Sequence, residues 1–254
     1  MEPVRPATSY RWTSAARTDI GRVRERNEDT CVDLPDRGIW AVADGMGGHV
    51  MGDFASQAVV QTLSALPVLE SLDMTVDNTR NALRAVNQLL VEEAQRMKVH
   101  TIGSTVVLLL AREHRCACLW AGDSRLYLFR DSQLTQLTRD HSLVERLKAN
   151  GMITAEEAKH HPARNAITRA VGAGASLDLE RVSLDANDGD VFLLCSDGLT
   201  NELEDEDIAS VLAAAAAPAQ ATDELVNRAL AHGGHDNVAV VVIRAEEEKE
   251  KARR

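Results

Sequence analysis

Short apolar runs of strand length alternate along this chain with longer amphipathic stretches, and glycine, asparagine or aspartate punctuates most of the joins. Runs of four to eight residues predict strands over 10–16, 39–43, 105–111, 115–121, 125–130, 177–184, 191–195 and 237–244, with a short one at 133–137. Between 109 and 137 the turns EHR, GDS and RDSQ are short, so this stretch reads as an antiparallel meander. Three-to-four spacing predicts helices over 52–66 and 77–97, carried by Phe54, Ala58, Val59 and Leu63, then by Leu83, Val86 and Leu90. A second helical pair falls at 205–216 and 222–232, separated by Pro218, with Thr222 as the expected cap of the latter. The order implies an α+β fold: a four-layer α/β/β/α sandwich of two antiparallel sheets flanked by helix pairs. Residues 141–169 are polar and His-rich, with helical signals at 143–150 and 155–160, and read as a flap insertion. The alanine run 213–217 reads as a helix end rather than a linker.

Composition narrows this picture. A chain of 254 residues with 44% apolar content suits one domain, with a core over about 9–245 and a frayed tail at 246–254. No stretch approaches the ~20 apolar residues of a bilayer span. The opening MEPVRPATSYRW lacks an apolar signal segment, so a soluble, cytoplasmic protein is expected. Net charge is −11, from 28 basic and 39 acidic residues, which argues against a nucleic-acid partner. Cys31, Cys116, Cys118 and Cys195 form no CxxC pair and are expected as reduced thiols, with Cys116 and Cys118 on one face of a strand.

The acidic residues carry the candidate chemistry. Glu28-Asp29, Asp44-Gly45, Asp123-Ser124, Asp197-Gly198 and Asp236-Asn237 each pair a carboxylate with a turn-forming residue. Most lie at the ends of predicted strands, in IWAVAD, CLWAGD, VFLLCSD and DNVAVVVI. Any single Asp-Gly is an ordinary turn, and Asp188-Gly189, which precedes its strand, is assigned as one. Recurrence at four strand ends points instead to oxygen ligands converging on magnesium or manganese. One bridging carboxylate can hold two cations ~3.5–4 Å apart, and a water they share becomes a nucleophile near neutral pH. Arg24, four residues before Glu28, is positioned to bind a phosphate through its guanidinium fork.

Eight motifs then occur in order: GRVRERNED at 21–29, ADGMGGH at 43–49, GSTVV at 103–107, AGDSR at 121–125, LTRDHS at 137–142, ITRAVG at 167–172, LLCSDGLT at 193–200 and HDNVAVVV at 235–242. This series resembles the bacterial branch of the metal-dependent protein phosphatases, the type 2C serine/threonine phosphatases, over nearly the whole chain. The resemblance implies a β-sandwich flanked by helix pairs, and Mn2+ or Mg2+ as cofactor. It implies that Asp44 bridges two metals, that the Gly45 carbonyl ligates one, and that Asp197 and Asp236 complete a shell. Glu28 would act through water, Asp123 with Asp197 would hold a third and weaker metal, and Arg24 would bind the substrate phosphate. Asp29 and Asn237 would orient their neighbours. Met46 stands where many eukaryotic members carry a histidine proposed as general acid, leaving His49 and His141 as candidates.

Three other readings compete. Cys31 and Arg37 have the spacing of a thiol-phosphatase loop, but the intervening VDLPD would repel phosphate and removes an amide donor. A catalytically silent phosphoprotein-binding regulator of the same fold would be expected to lack one of the metal aspartates. A two-metal phosphodiesterase would need a basic stripe that this chain lacks. The expected protein is a monomeric phosphoserine/phosphothreonine phosphatase opposing a eukaryotic-like Ser/Thr kinase. Its opening, SAARTDIGRVRERNEDT, is similar to that of stand-alone phosphatases associated with type VI secretion.

Overall fold

The computed structural model describes residues 9–46 and 51–248. The strands are β1 (Tyr10–Asp19), β2 (Asp29–Leu34), β3 (Ile39–Met46), β4 (Gly103–Ser104), β5 (Val106–Arg112), β6 (Arg115–Ala121), β7 (Arg125–Arg130), β8 (Gln133–Gln136), β9 (Glu180–Asp185), β10 (Val191–Cys195) and β11 (Val238–Glu247). The helices are α1 (Met51–Ser64), α2 (Leu72–Met97), α3 (Leu143–Ala149), α4 (Ala155–Lys159), α5 (Asp197–Thr200), α6 (Asp205–Ala214) and α7 (Pro218–His232). One sheet runs β1-β11-β10-β7-β8 and the other β2-β3-β5-β6-β9, with β4 added at the end of β3. The observed pairings are antiparallel, from β1 on β11 to β6 on β9.

Near-continuous apolar strands make sense because both faces of each sheet are covered. Trp40, Leu109, Cys118 and Trp120 of one sheet meet Leu126, Phe192, Leu194 and Val241 of the other. Their alternate neighbours turn outward: Ala41, Leu108 and Leu110 against Val59, Leu63, Leu83 and Leu90 of α1 and α2. On the far side Leu193, Cys195 and Val240 pack against Ile208, Leu212, Leu225 and Val226 of α6 and α7. Each fully buried aliphatic side chain contributes roughly 1.5–3 kcal/mol, so inner faces rather than helix propensity hold the outer layers. Cys116 and Cys118 lie in the inter-sheet core, and the described cysteines are free. Among the described residues no helix is long and apolar enough to cross a membrane.

The four layers follow the expected plan, with local corrections. The meander is broken: β6 and β7 belong to different sheets, so the Gly122–Ser124 turn is a corner between layers rather than a hairpin. Gly122 adopts φ +127 there, and a Cβ at that position would lie 2.5 Å from the Thr105 side chain. β2 had no clear signal because it is an edge strand with few buried residues, Asp29 and Val32 among them. α2 begins at Leu72, five residues before the expected start, because the Ser71 hydroxyl accepts from the Met74 N–H. Pro218 starts α7 instead of separating two helices, its missing N–H costing nothing in the first turn. Thr222 is therefore inside the helix, donating to the Pro218 carbonyl at 2.9 Å.

Candidate active site

Carboxylates from both sheets meet at one rim of the sandwich. Asp44 lies near the end of β3, directly opposite Asp29 on β2. Asp197 follows β10 and Asp236 precedes β11, two strands that are neighbours in the other sheet. Asp123 sits in the corner between β6 and β7. Burial pushes the carboxyl of Asp44 well above its ordinary range, and repulsion from Asp29, Asp197, Asp123 and Asp236 adds to this. Burial likewise raises Asp29, although hydrogen bonds from Ser196 and Asp44 oppose the shift. Asp123 is pushed up to about 7 and Asp197 to about 6, chiefly by burial, with Asp197 repelling the former and Asp236 the latter. Asp44, Asp197 and Asp236 are crowded by protein yet keep partial access to solvent, as groups lining a cleft do.

The backbone around them is closely built. Thr105 Oγ1 accepts from the Asp44 N–H at 3.0 Å, while the Thr105 N–H donates to the Asp44 carbonyl at 2.8 Å. Gly45 is required by proximity, since a Cβ there would lie 1.9 Å from the Gly52 carbonyl oxygen. Gly52 in turn lets the Glu28 carboxyl close in, and burial followed by Asp53 raises that group. Asn237 stitches the 20–28 loop to the start of β11: Nδ2 donates to the Ile20 and Arg26 carbonyls, and Oδ1 accepts from the Glu28 N–H, each at 2.8 Å. The Ser196 hydroxyl donates to Asp29 Oδ2 at 2.6 Å and accepts from the Ala239 N–H at 2.9 Å. Arg24 is half-exposed at the rim, where its guanidinium pairs with Asp236 Oδ2 at 2.6 Å.

Oxygen-only donors, clustered and under-compensated, are what a hard divalent cation requires. Asp123 Oδ1 is buried with no hydrogen-bond partner, an arrangement that costs ~1–3 kcal/mol unless a ligand offsets it. The carboxylates are gathered but do not close on a point: among the described residues, no three His, Cys, Asp or Glu side chains stand around a single ion position.

The protein phosphatase 2C family model matches residues 22–232. The chain belongs to the protein phosphatase 2C family. The serine/threonine phosphatase Stp of Listeria monocytogenes is 34% identical over 238 residues, spanning 89% of this chain and 93% of that one. The solved structure of PppA, described as a key regulatory component of T6SS in Pseudomonas aeruginosa, has a TM-score of 0.87 at 41% identity, covering 94% of this chain and 99% of that one. The catalytic domain of the phosphatase PstP with two manganese ions matches with TM-score 0.83 at 35% identity, covering 94% of this chain and all of that one. The chain is a protein-serine/threonine phosphatase whose catalysis is metal-dependent and whose substrates are phosphoproteins.

Within this phosphatase the remaining candidates separate. His49 lies outside the described residues. His141 is buried, with Nδ1 accepting from the Gly122 N–H at 3.1 Å and Nε2 bonded to Glu180 at 3.0 Å, so neither nitrogen is free to protonate a leaving group. Burial also lowers the His141 pKa against the opposing effect of Glu180, favouring neutral imidazole. Cys31 lies on β2 and burial pushes its thiol up to about 11, the reverse of an activated nucleophile. Ser196, Thr105 and Ser124 had no assigned role in the sequence. Serines and threonines at strand ends look like turn residues until the register shows what faces them.

Proposed function

We propose that Asp44 is shared by two divalent cations, Mn2+ or Mg2+, with the Gly45 carbonyl, Asp197 and Asp236 as further ligands and Glu28 acting through water. The observation that carries this is the meeting of Asp44 with Asp197 and Asp236, from separate sheets, in one under-compensated cluster. Bound cations supply charge neutralisation and lower the pKa of a shared water. The protein's own groups do the rest. Asn237 fixes the loop bearing Arg24 and Glu28, and Ser196 orients Asp29 against Asp44. Arg24, held charged by its hydrogen bond to Asp236 although burial opposes this, would exchange that partner for two phosphoryl oxygens when substrate enters. Asp123 and Asp197 are assigned to a third, weaker cation.

The substrates proposed are phosphoserine and phosphothreonine proteins of a eukaryotic-like Ser/Thr kinase, with the enzyme acting as a monomer in the cytoplasm. The likeness to PppA supports a role in regulating type VI secretion. Replacing Asp44→Asn should lower manganese-dependent turnover of a phosphothreonine peptide by at least roughly 100-fold, about 2.7 kcal/mol of barrier. Near-wild-type turnover would remove Asp44 from the bridging position. Absence of turnover in the wild-type enzyme would favour the silent-regulator reading.

A further inference from the structure

Asp123 stands on a corner that no ladder holds, because β6 leaves one sheet and β7 enters the other. Three local ties replace the missing ladder. On one side the Ser124 and Thr105 hydroxyls are bonded at 2.8 Å, joining the corner to the residue that grips the Asp44 backbone. Beyond it Arg125 forms a two-pronged pair with Asp140, Nε to Oδ1 at 3.0 Å and Nη2 to Oδ2 at 2.7 Å. Before it, Gly122 and His141 bond twice: the Gly122 N–H donates to His141 Nδ1 at 3.1 Å, and the His141 N–H donates to the Gly122 carbonyl at 2.9 Å. Residues 140 and 141, where the flap leaves the body, thus hold both flanks of Asp123.

His141 is itself over-determined. Its ring stacks on Trp120, centroids 6.0 Å apart and planes at 11°, and the Trp120 indole donates to the Arg139 carbonyl at 2.9 Å. Accepting at Nδ1 places the proton on Nε2, which donates to Glu180 Oε1 at 3.0 Å. The same Glu180 oxygen accepts from Arg169 at 3.1 Å, at the returning leg of the flap. The two legs are also joined directly: the Thr168 N–H donates to the His141 carbonyl at 2.7 Å, and Ser142 bridges Ile167. Between these ties lies Asp123, whose carboxyl Oδ1 is buried without a hydrogen-bond partner.

We infer that His141 is a positioning residue for Asp123: Glu180 fixes its imidazole as the Nε2–H tautomer, leaving Nδ1 to hold the Gly122 amide and so aim the Asp123 carboxylate at its cation. Arg169 ties this set to the flap, so that flap and third cation site form one mechanical unit. The inference rests on the assignment of Asp123 to a third cation, and the test separates the two.

Manganese binding is counted by titration with electron paramagnetic resonance, alongside turnover as a function of Mn2+, for wild type, Asp123→Asn, His141→Leu and His141→Asn. Asp123→Asn should lose the weakest ion. His141→Leu should retain the two tighter ions and bind the third on the order of 10-fold more weakly. The KM for a phosphothreonine peptide should stay unchanged at saturating Mn2+. His141→Asn, whose side-chain oxygen can accept from Gly122 near the Nδ1 position, should recover most of the loss. The 15N shifts of the wild-type imidazole should report Nε2–H, a readout that needs no variant to fold. If Asp123→Asn loses the ion and His141→Leu does not, the positioning role is overturned while the third site stands. Retention of the third ion by Asp123→Asn overturns the assignment and the inference together. An Nδ1–H imidazole, or His141→Asn no better than His141→Leu, reduces His141 to packing.

Discussion

Ser196 satisfies two buried groups from different sheets with one hydroxyl, holding Asp29 on β2 and the Ala239 amide on β11. Replacing Ser196→Ala leaves both without that partner, in a place where water cannot readily substitute. The expected loss is ~1–3 kcal/mol of stability by urea unfolding, together with reduced turnover. Unchanged stability would mean that Asp29 finds another donor. The aspartates were legible in the sequence because the same residue type recurs at strand ends. Ser196 was not, since its importance comes from Asp29, whose codon lies far away and whose strand has too few apolar residues to read. Likewise His141 could be nominated as a proton donor from its motif, but only contacts reveal that Gly122 and Glu180 already use both nitrogens.

Elements read well where both faces are apolar and poorly where tertiary contacts decide. β5, β10 and β11 are buried along most of their length and stand out as apolar strings. The β6–β7 corner fails the same test: a short glycine turn predicts a hairpin, and only the competing demands of two stacked sheets make it a switch between layers. Helix α2 fails at its start, where LDMTVDNT is too polar to show periodicity but Ser71 closes the first turn. Ser71→Ala should cost about 1 kcal/mol in thermal unfolding while leaving turnover at the wild-type level, because this cap is remote from the carboxylates. A cost near zero would place the effective helix start later, as the sequence pattern suggests.

For the whole molecule, the gathered carboxylates couple stability to pH and metal. Asp197 and Asp123, pushed up to about 6 and about 7, keep their protons in the folded protein after the unfolded chain has released its own near the ordinary value of 3.8. Stability therefore falls as pH rises from that value through about 7 when metal is stripped away, because the unfolded state binds fewer protons across this window. On the proposed assignment, cations binding the ionised cluster would reverse the penalty. The chelated protein should melt at a lower temperature at pH 8 than at pH 6, and added Mn2+ should raise the melting temperature more at pH 8. Equal metal-induced gains at both values would refute this coupling. The pairing of β1 with β11, Tyr10 opposite Glu247 and Asp19 opposite Val238, has a different consequence. During synthesis the earliest strand must wait for the latest one, and Asp236 emerges just ahead of it. On the proposed assignment, a half-made chain would carry Asp44 and Asp123 but lack Asp197 and Asp236 from the other sheet. A chain cut before Asp236 should therefore show no turnover of a phosphothreonine peptide, and measurable turnover by such a fragment would refute this.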